Sequence, residues 1–396
     1  MSEPRTMTDE QLQAEVAGWL AANWDPTLSR HDWLTKVVAA DWAAPRWPAE
    51  WGGRELEDHQ ARIVEAAFDE IGAPGTGQDR KNLWANTALA FGGQAFKEKF
   101  IPALLREELA MCLLYSEPGA GSDLAGLRTR AERDGDQWVV NGQKVWTSGA
   151  ATADYGMLVA RTDWDVPKHR GISFFFCPMK QPGIEVRPLR QITDESHFNQ
   201  VFITDAVIPS ENLLGEENDG WRVLQTALAY ERSVMGEGAR GPRSADGDGG
   251  GASHEVNLVA LAREAGVLGD PVIRQEIARA TALRTLNALN TARAKSELAQ
   301  GTSSPIMSLG KLAMSRILHE GARVQTAILS ASSLLEGPDH PRAEDANFLT
   351  LNAYFTSIGG GTDQIQRNII AERVLGMPKE PEIDREIPFR EVRSGG

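Results

Sequence analysis

The chain has 396 residues, 41% of them hydrophobic and 24% charged, a length that suits two or three packed units and a composition outside the disordered and collagen-like classes. Its formal net charge of −14 argues against nucleic acid as a partner, because that binding rests on Lys and Arg displacing counterions from phosphates. A local basic patch for one phosphorylated ligand remains compatible with an acidic whole.

Met1 to Gln11 has no apolar h-region and is not Arg-rich and acid-poor, so neither a secretory nor a transit peptide is expected. No apolar run approaches about 18 residues, so no spanning helix is expected. Cys112 and Cys177 belong to no CxxC pair and read as buried free thiols of a reducing cytoplasm.

From Thr8 a helix is predicted: Thr8 with Gln11 fits a capping box, and Leu12, Val16, Trp19 and Leu20 share one face. Helical patterns continue to about Leu105, broken by a loop of rigid Pro and permissive Gly from Ala44 to Gly53. After Tyr115 the period becomes β-type. Trp138 to Val140, Asn141-Gly142 and Val145-Trp146 read as a hairpin, since Asn-Gly supplies the positive φ angles of a two-residue turn. Further strands are expected at Tyr155 to Arg161, Ile172 to Pro178, Ile184 to Leu189 and Gln200 to Thr204.

Helices return from Gly220, with Asp270-Pro271 placing a cap before a first-turn proline. Between the first two of them, residues 238–253 read as a mobile Gly-rich surface insertion; the run Gly249-Gly250-Gly251 has no following Lys-Ser/Thr and is no phosphate-cradling loop. The predicted fold is thus α+β, with an N-terminal helical domain (1–112), a middle antiparallel β domain (113–220) and a C-terminal helical bundle (221–396). That order excludes a doubly wound sheet, and with it a dinucleotide reading of Gly119-Ala120-Gly121.

Three strings carry the chemistry. Tyr115-Ser116-Glu117-Pro118-Gly119-Ala120-Gly121-Ser122-Asp123 is a turn whose amides and small hydroxyls can approach a ligand closely, though such a string alone also suits a surface turn. Asn141 to Gly149 contains Trp146, a flat polarizable wall or equally a core residue, and Ser148 two positions on. The third runs Gly359-Gly360-Gly361-Thr362-Asp363-Gln364-Ile365-Gln366-Arg367-Asn368.

In this order and framework the three strings resemble the signatures of the acyl-CoA dehydrogenase family, over roughly Thr8 to Pro381. The resemblance implies non-covalent FAD, with Tyr115, Ser116, Gly121, Ser122, Trp146 and Ser148 on its flavin side, Thr362 and Gln364 also touching it, and Arg367 starting the last helix. It implies removal of an α-proton from a CoA thioester while the β-hydride passes to flavin N5, giving a trans-2-enoyl-CoA. An electron-transfer flavoprotein is the implied electron acceptor.

The sequence departs from the family at two places. Many members carry the base immediately before the Gly-Thr of the third string, where this chain has Gly360. A minority, similar to the isovaleryl and long-chain enzymes, carry it just before an arginine on the helix after the β domain. Tyr230-Glu231-Arg232 occupies that position, which makes Glu231 the expected base, with Arg232 and Ser122 on the substrate side and the Gly360 N–H kept as an oxyanion donor. As a bare residue, Glu231 would read as helix surface.

The second departure concerns the family's Arg-x-x-Phe-Gly stretch and later Gly-Gly turn, which grip the far half of a neighbour's FAD. Ala265 to Pro271 and Ala331 to Gly337 lack that arginine and glycine pair. A tetramer of two chain types is therefore expected, with Arg263 or Arg274 as the alternative phosphate partner. Three readings stay open: a dehydrogenase using Glu231, a non-catalytic partner subunit, and a flavin oxidase or monooxygenase on the same fold. The Gly-Gly-Gly-Thr string is similar to that of subunits acting on steroid side-chain thioesters, which points to a branched or polycyclic acyl group.

Overall fold

The computed structural model describes residues 7–237, 256–299, 309–337 and 339–392. The insertion expected at 238–253 lies outside them. Contacts gather into two compact units, one built on Met1–Leu189, Ser196–Val234 and Ile383–Gly396, the other on Arg190–Glu195 and Met235–Glu382. No helix among the described residues is long and apolar enough to cross a membrane.

The first unit begins with α1 (Asp9–Asn23), α2 (Arg30–Ala39), α3 (Asp58–Glu70), α4 (Gln78–Lys81), α5 (Leu83–Phe91) and α6 (Gln94–Leu105). The capping box is present: the Thr8 side chain accepts from the Gln11 N–H, the Gln11 side chain accepts from the Thr8 N–H, and Leu12, Val16 and Leu20 are buried.

The β layer comprises β1 (Met111–Leu114), β2 (Arg130–Asp134), β3 (Gln137–Ser148), β4 (Tyr155–Arg161), β5 (Ile172–Pro178), β6 (Ile184–Leu189), β7 (Phe198–Pro209) and β8 (Leu213–Leu214). The sheet order is β6-β7-β3-β2-β4-β5-β8, with β1 also on β4. It is a mixed sheet rather than a purely antiparallel one, because β1 and β2 both run parallel to β4. Along β5, Ile172, Phe174 and Phe176 join the core shared with the helices, while Phe175 and Cys177 join a second core on the other face. Both faces are covered, which is why this strand reads as a continuous apolar run.

The expected hairpin at Asn141-Gly142 does not form. Both residues lie inside β3, and the turn is Gly135-Asp136, where Asp134 pairs with Gln137 and Gly135 takes a φ of 63°. Asn141 instead spans an extra residue in β7: its side chain donates to Asp205 Oδ1 (3.0 Å) and accepts from the Asp205 N–H (2.9 Å). Gly142 is needed for close approach, since a Cβ there would come within 2.4 Å of Thr129 Oγ1.

Helix α7 (Gly220–Glu237) starts against β5, where a Cβ at Gly220 would lie 2.4 Å from the Ser173 carbonyl carbon. It buries Val223, Leu224 and Ala227 in the helical core, with Tyr230 packed on the same cluster. The second unit holds α8 (Leu258–Glu264), α9 (Pro271–Ala299), α10 (Gly310–Leu329), α11 (Pro341–Ile358) and α12 (Asp363–Ile369). Asp270 caps α9 as its sequence position predicts, its side chain accepting from the Val272 and Ile273 N–H groups.

Candidate functional site

The first two signature strings meet. The Val145 N–H donates to the Ser116 carbonyl (2.9 Å), and Lys144 Nζ donates to the Tyr115 carbonyl (3.1 Å) and to Glu117 Oε1 (2.9 Å). Lys144 is fully buried and Glu117 nearly so. Glu117 also accepts from the Arg128 and Thr129 N–H groups at 2.7 and 2.8 Å, so one carboxylate closes the loop that begins at Tyr115. Burial would push the Glu117 carboxyl up; the Lys144 ammonium and these hydrogen bonds outweigh it and hold the group below the usual carboxylate range.

Lys144 shares its parity along β3 with Trp138 and Val140, both buried. Strict alternation would send Trp146 inward too. Lys144 pairs with Val201 but Thr147 with Asn199, so β3 holds one extra residue at Val145–Trp146, and Trp146 takes a φ of 62°. The bulge turns Thr147 into the core and leaves Trp146 58% exposed, its ring edge-on to Phe198 at 5.8 Å. Ser148, also exposed, follows it. A bulky residue held in the left-handed region with its indole in the open is a strained arrangement of the kind that clusters at ligand sites.

The loop beside it is open. Gly119 and Gly121 have no left-handed φ, and a Cβ at either would meet no protein atom within 4 Å. Neither the backbone conformation nor packing within this chain requires glycine there. Ser116 is half-buried, Ser122 is exposed, and Tyr115 is buried with its ring 5.9 Å from Phe174. Reading the sequence missed the Lys144–Glu117 pair, although a lysine on the buried face of a strand is itself a signal that a carboxylate faces it.

Glu231 and Arg232 lie on α7, and their side chains are outside the described residues. The third string lies in the second unit. Thr362 caps α12 by accepting from the Ile365 N–H (3.2 Å), so the helix starts at Asp363 and Arg367 sits within it rather than at its start. Gly360 and Gly361 have φ of 64° and 88°, and the buried Gln366 donates to the Gly360 carbonyl (3.3 Å). Gln364 is exposed. Beneath this turn, Asp363 accepts from Ser315 Oγ (2.8 Å), Ser315 shares a hydrogen bond with Ser357, and Ser357 Oγ lies 2.6 Å from His319 Nε2. Among the described residues no group of His, Cys, Asp and Glu could hold a metal ion.

The chain matches the sequence profiles "Acyl-CoA dehydrogenase, middle domain" over residues 112–204 and "Acyl-CoA dehydrogenase, C-terminal domain" over residues 218–375. It is 35% identical to acyl-CoA dehydrogenase IpdE1 of Mycobacterium tuberculosis, covering 94% of this chain and 98% of that protein. It is 38% identical to acyl-CoA dehydrogenase FadE34 of the same organism, covering 92% of this chain and 50% of FadE34. Among solved structures it resembles the Tcur3481-Tcur3483 steroid ACAD (TM-score 0.68, 26% identity, 96% of this chain and 100% of that one). It also resembles the ChsE4-ChsE5 complex from Mycobacterium tuberculosis (TM-score 0.63, 28% identity, 96% and 100%).

Fold and comparisons together define an oxidoreductase of the acyl-CoA dehydrogenase kind. The chain belongs to the acyl-CoA dehydrogenase family.

Proposed function

We propose that this chain oxidises an acyl-CoA thioester to the trans-2-enoyl-CoA, with FAD against the β3 bulge and Glu231 as the base. The observation that carries the reading is the Ser116–Val145 hydrogen bond, which sets the open glycine loop beside the exposed Trp146 indole. These residues fit a flavin. The indole offers a flat wall, the space above Gly119 and Gly121 admits a ligand backbone-close, and the Ser122 and Ser148 side chains are exposed.

Tyr115, Ser116, Gly121, Ser122, Trp146 and Ser148 would hold the flavin side, with Thr362 and Gln364 contributing from the C-terminal string. When bound, FAD supplies the two-electron oxidant that takes the β-hydrogen with its electron pair. Glu231 takes the α-proton, and the electrons of that C–H bond become the new double bond. The Gly360 N–H donates to the thioester oxygen as charge develops there, while Arg232 and Ser122 orient the thioester.

The test is Glu231→Gln, which keeps the shape but cannot accept the proton. We expect unchanged flavin content and turnover lowered at least about a hundredfold. Near-normal turnover would remove Glu231 as the base. Anaerobic titration with a panel of acyl-CoAs, read by bleaching of the flavin, identifies the acyl group; the likeness to a steroid ACAD favours a bulky polycyclic or branched one. An electron-transfer flavoprotein as acceptor and a cytoplasmic location complete the proposal.

A second reading concerns assembly. Two similar solved structures are named as pairs of chains, and Ala265–Pro271 offers no arginine for a neighbour's pyrophosphate. A related second chain supplying it would give a heterotetramer, in which this chain is either the catalytic or the completing partner. Expression alone, with flavin stoichiometry and solution mass, tests this; a homotetramer holding four FAD would exclude it.

A further inference from the structure

Asp384, Phe389, Arg390 and Val392, close to the C-terminal end of the described residues, meet Arg128, Arg161 and the connection between β4 and β5, all far earlier in the chain. Phe389 is fully buried; its N–H donates to the Val166 carbonyl (2.9 Å), and the Arg390 N–H donates to the Trp164 carbonyl (3.0 Å). The Phe389 ring lies 3.4 Å from Arg161 Cζ, 5.0 Å from Arg128 Cζ and 5.3 Å from the Trp164 ring. Arg128 Nη2 donates to the Val392 carbonyl (3.3 Å).

Arg161 is a buried cation with no carboxylate at ion-pair distance among the described residues. It donates to the carbonyls of Ala125 (2.6 Å), Leu127 (3.1 Å) and Lys168 (3.1 Å), and burial pulls its guanidinium down to about 10. The nearby carboxylates of Glu117, Asp123 and Asp163 and the three carbonyl dipoles offset its charge, and it also lies over two aromatic faces, of which Phe389 is the nearer. The Ala125 and Leu127 carbonyls matter because Leu124–Gly126 is the turn that carries the open loop back to Arg128 and Thr129, whose amides reach Glu117. Lys168 makes a second link: its buried Nζ donates to Asp123 Oδ2 (3.1 Å) and to Asp384 Oδ2 (3.0 Å).

We propose that Asp384 and Phe389 are positioning residues of the cofactor loop: the C-terminal segment holds Arg161 and Lys168 in place, and these two cations fix the run from Asp123 to Leu127. The inference rests on the reading that this loop receives FAD. Without the Phe389 ring, Arg161 loses its nearest aromatic face and gains room to move, so the Ala125 and Leu127 carbonyls lose a fixed donor. Without the Asp384 charge, Lys168 keeps one anchor instead of two.

The test uses the full chain with any partner it needs, and reads FAD affinity by flavin fluorescence together with peptide-resolved amide exchange of the flavin-free protein. Phe389→Ala should speed exchange over 117–129 at least tenfold while the β4–β5 core stays protected, and should weaken FAD at least tenfold. Phe389→Leu, which fills the space without a π face, should show an intermediate loss, and Asp384→Asn a loss of about threefold; either serves if Phe389→Ala does not fold. Trp146→Ala is the control, weakening FAD with no change in exchange over 117–129. If Phe389→Leu and Asp384→Asn match the unmodified chain in both readouts while Trp146→Ala weakens FAD, the positioning role is wrong. If Trp146→Ala leaves FAD affinity unchanged, the cofactor reading beneath it fails instead.

Discussion

Lys144 Nζ and Glu117 Oε1 lie 2.9 Å apart with the lysine side chain wholly out of water, and this pair joins the strand carrying Trp146 to the loop carrying Ser116 and Ser122. Removing one partner strands the other as a buried charge, which costs about 3–5 kcal/mol. We expect Lys144→Met to lower the unfolding free energy of the flavin-free protein by that amount in urea titrations. The double variant with Glu117→Gln should recover part of the loss, since no uncompensated charge remains. A double variant as unstable as the sum of the singles would show that the two groups do not couple.

The same pair has a pH signature. The Glu117 carboxyl is held below its ordinary value in the folded chain, so its stabilising contribution is complete above the unfolded value, about 4.3. It is lost as pH falls through the lower folded value. The stability gap between the unmodified chain and the Glu117→Gln/Lys144→Met double variant, which leaves no buried lysine to titrate, should therefore be constant from neutral pH down to about 5, and should narrow in more acid solution. A gap unchanged to pH 3 would contradict the assignment.

Trp146 separates strain from binding. An L-residue in the left-handed region costs about 1–2 kcal/mol, which glycine does not incur. Trp146→Gly should thus leave flavin-free protein more stable than Trp146→Ala by about 1 kcal/mol, after the larger entropy of glycine in the unfolded chain. Both variants should bind FAD at least about tenfold more weakly, since both lose the indole wall. Equal melting temperatures for the two would mean that the bulge relaxes without strain.

The two cysteines are inert by position. Burial pushes both thiols up to about 12, and neither forms a disulfide. The reactive species is the thiolate, so no thiol should react with a disulfide reagent at pH 8 in the native chain, and two should after denaturation. Labelling of the native protein at the rate of a free thiol would overturn this.

Much of the architecture was legible along the chain. The Thr8 capping box, the Asp270-Pro271 helix start and the strands at β4, β5 and β6 depend on neighbours within a few residues or on a two-residue period, both of which are written locally. The order of the three signature strings likewise pointed to the family before any contact was known.

Tertiary structure decided the rest. Asn141-Gly142 is a good turn sequence, yet pairing along the whole of β3 with β7 outweighed it and left the turn to Gly135-Asp136. Alternation predicts an inward Trp146, and only the one-residue mismatch between β3 and β7 exposes it. The placement of Phe389 against Arg161, 228 positions earlier in the chain, has no local signal. Local propensity and periodicity are summed over a few residues, whereas register, bulges and the partner of a buried cation are fixed by segments that meet only when the chain closes on itself.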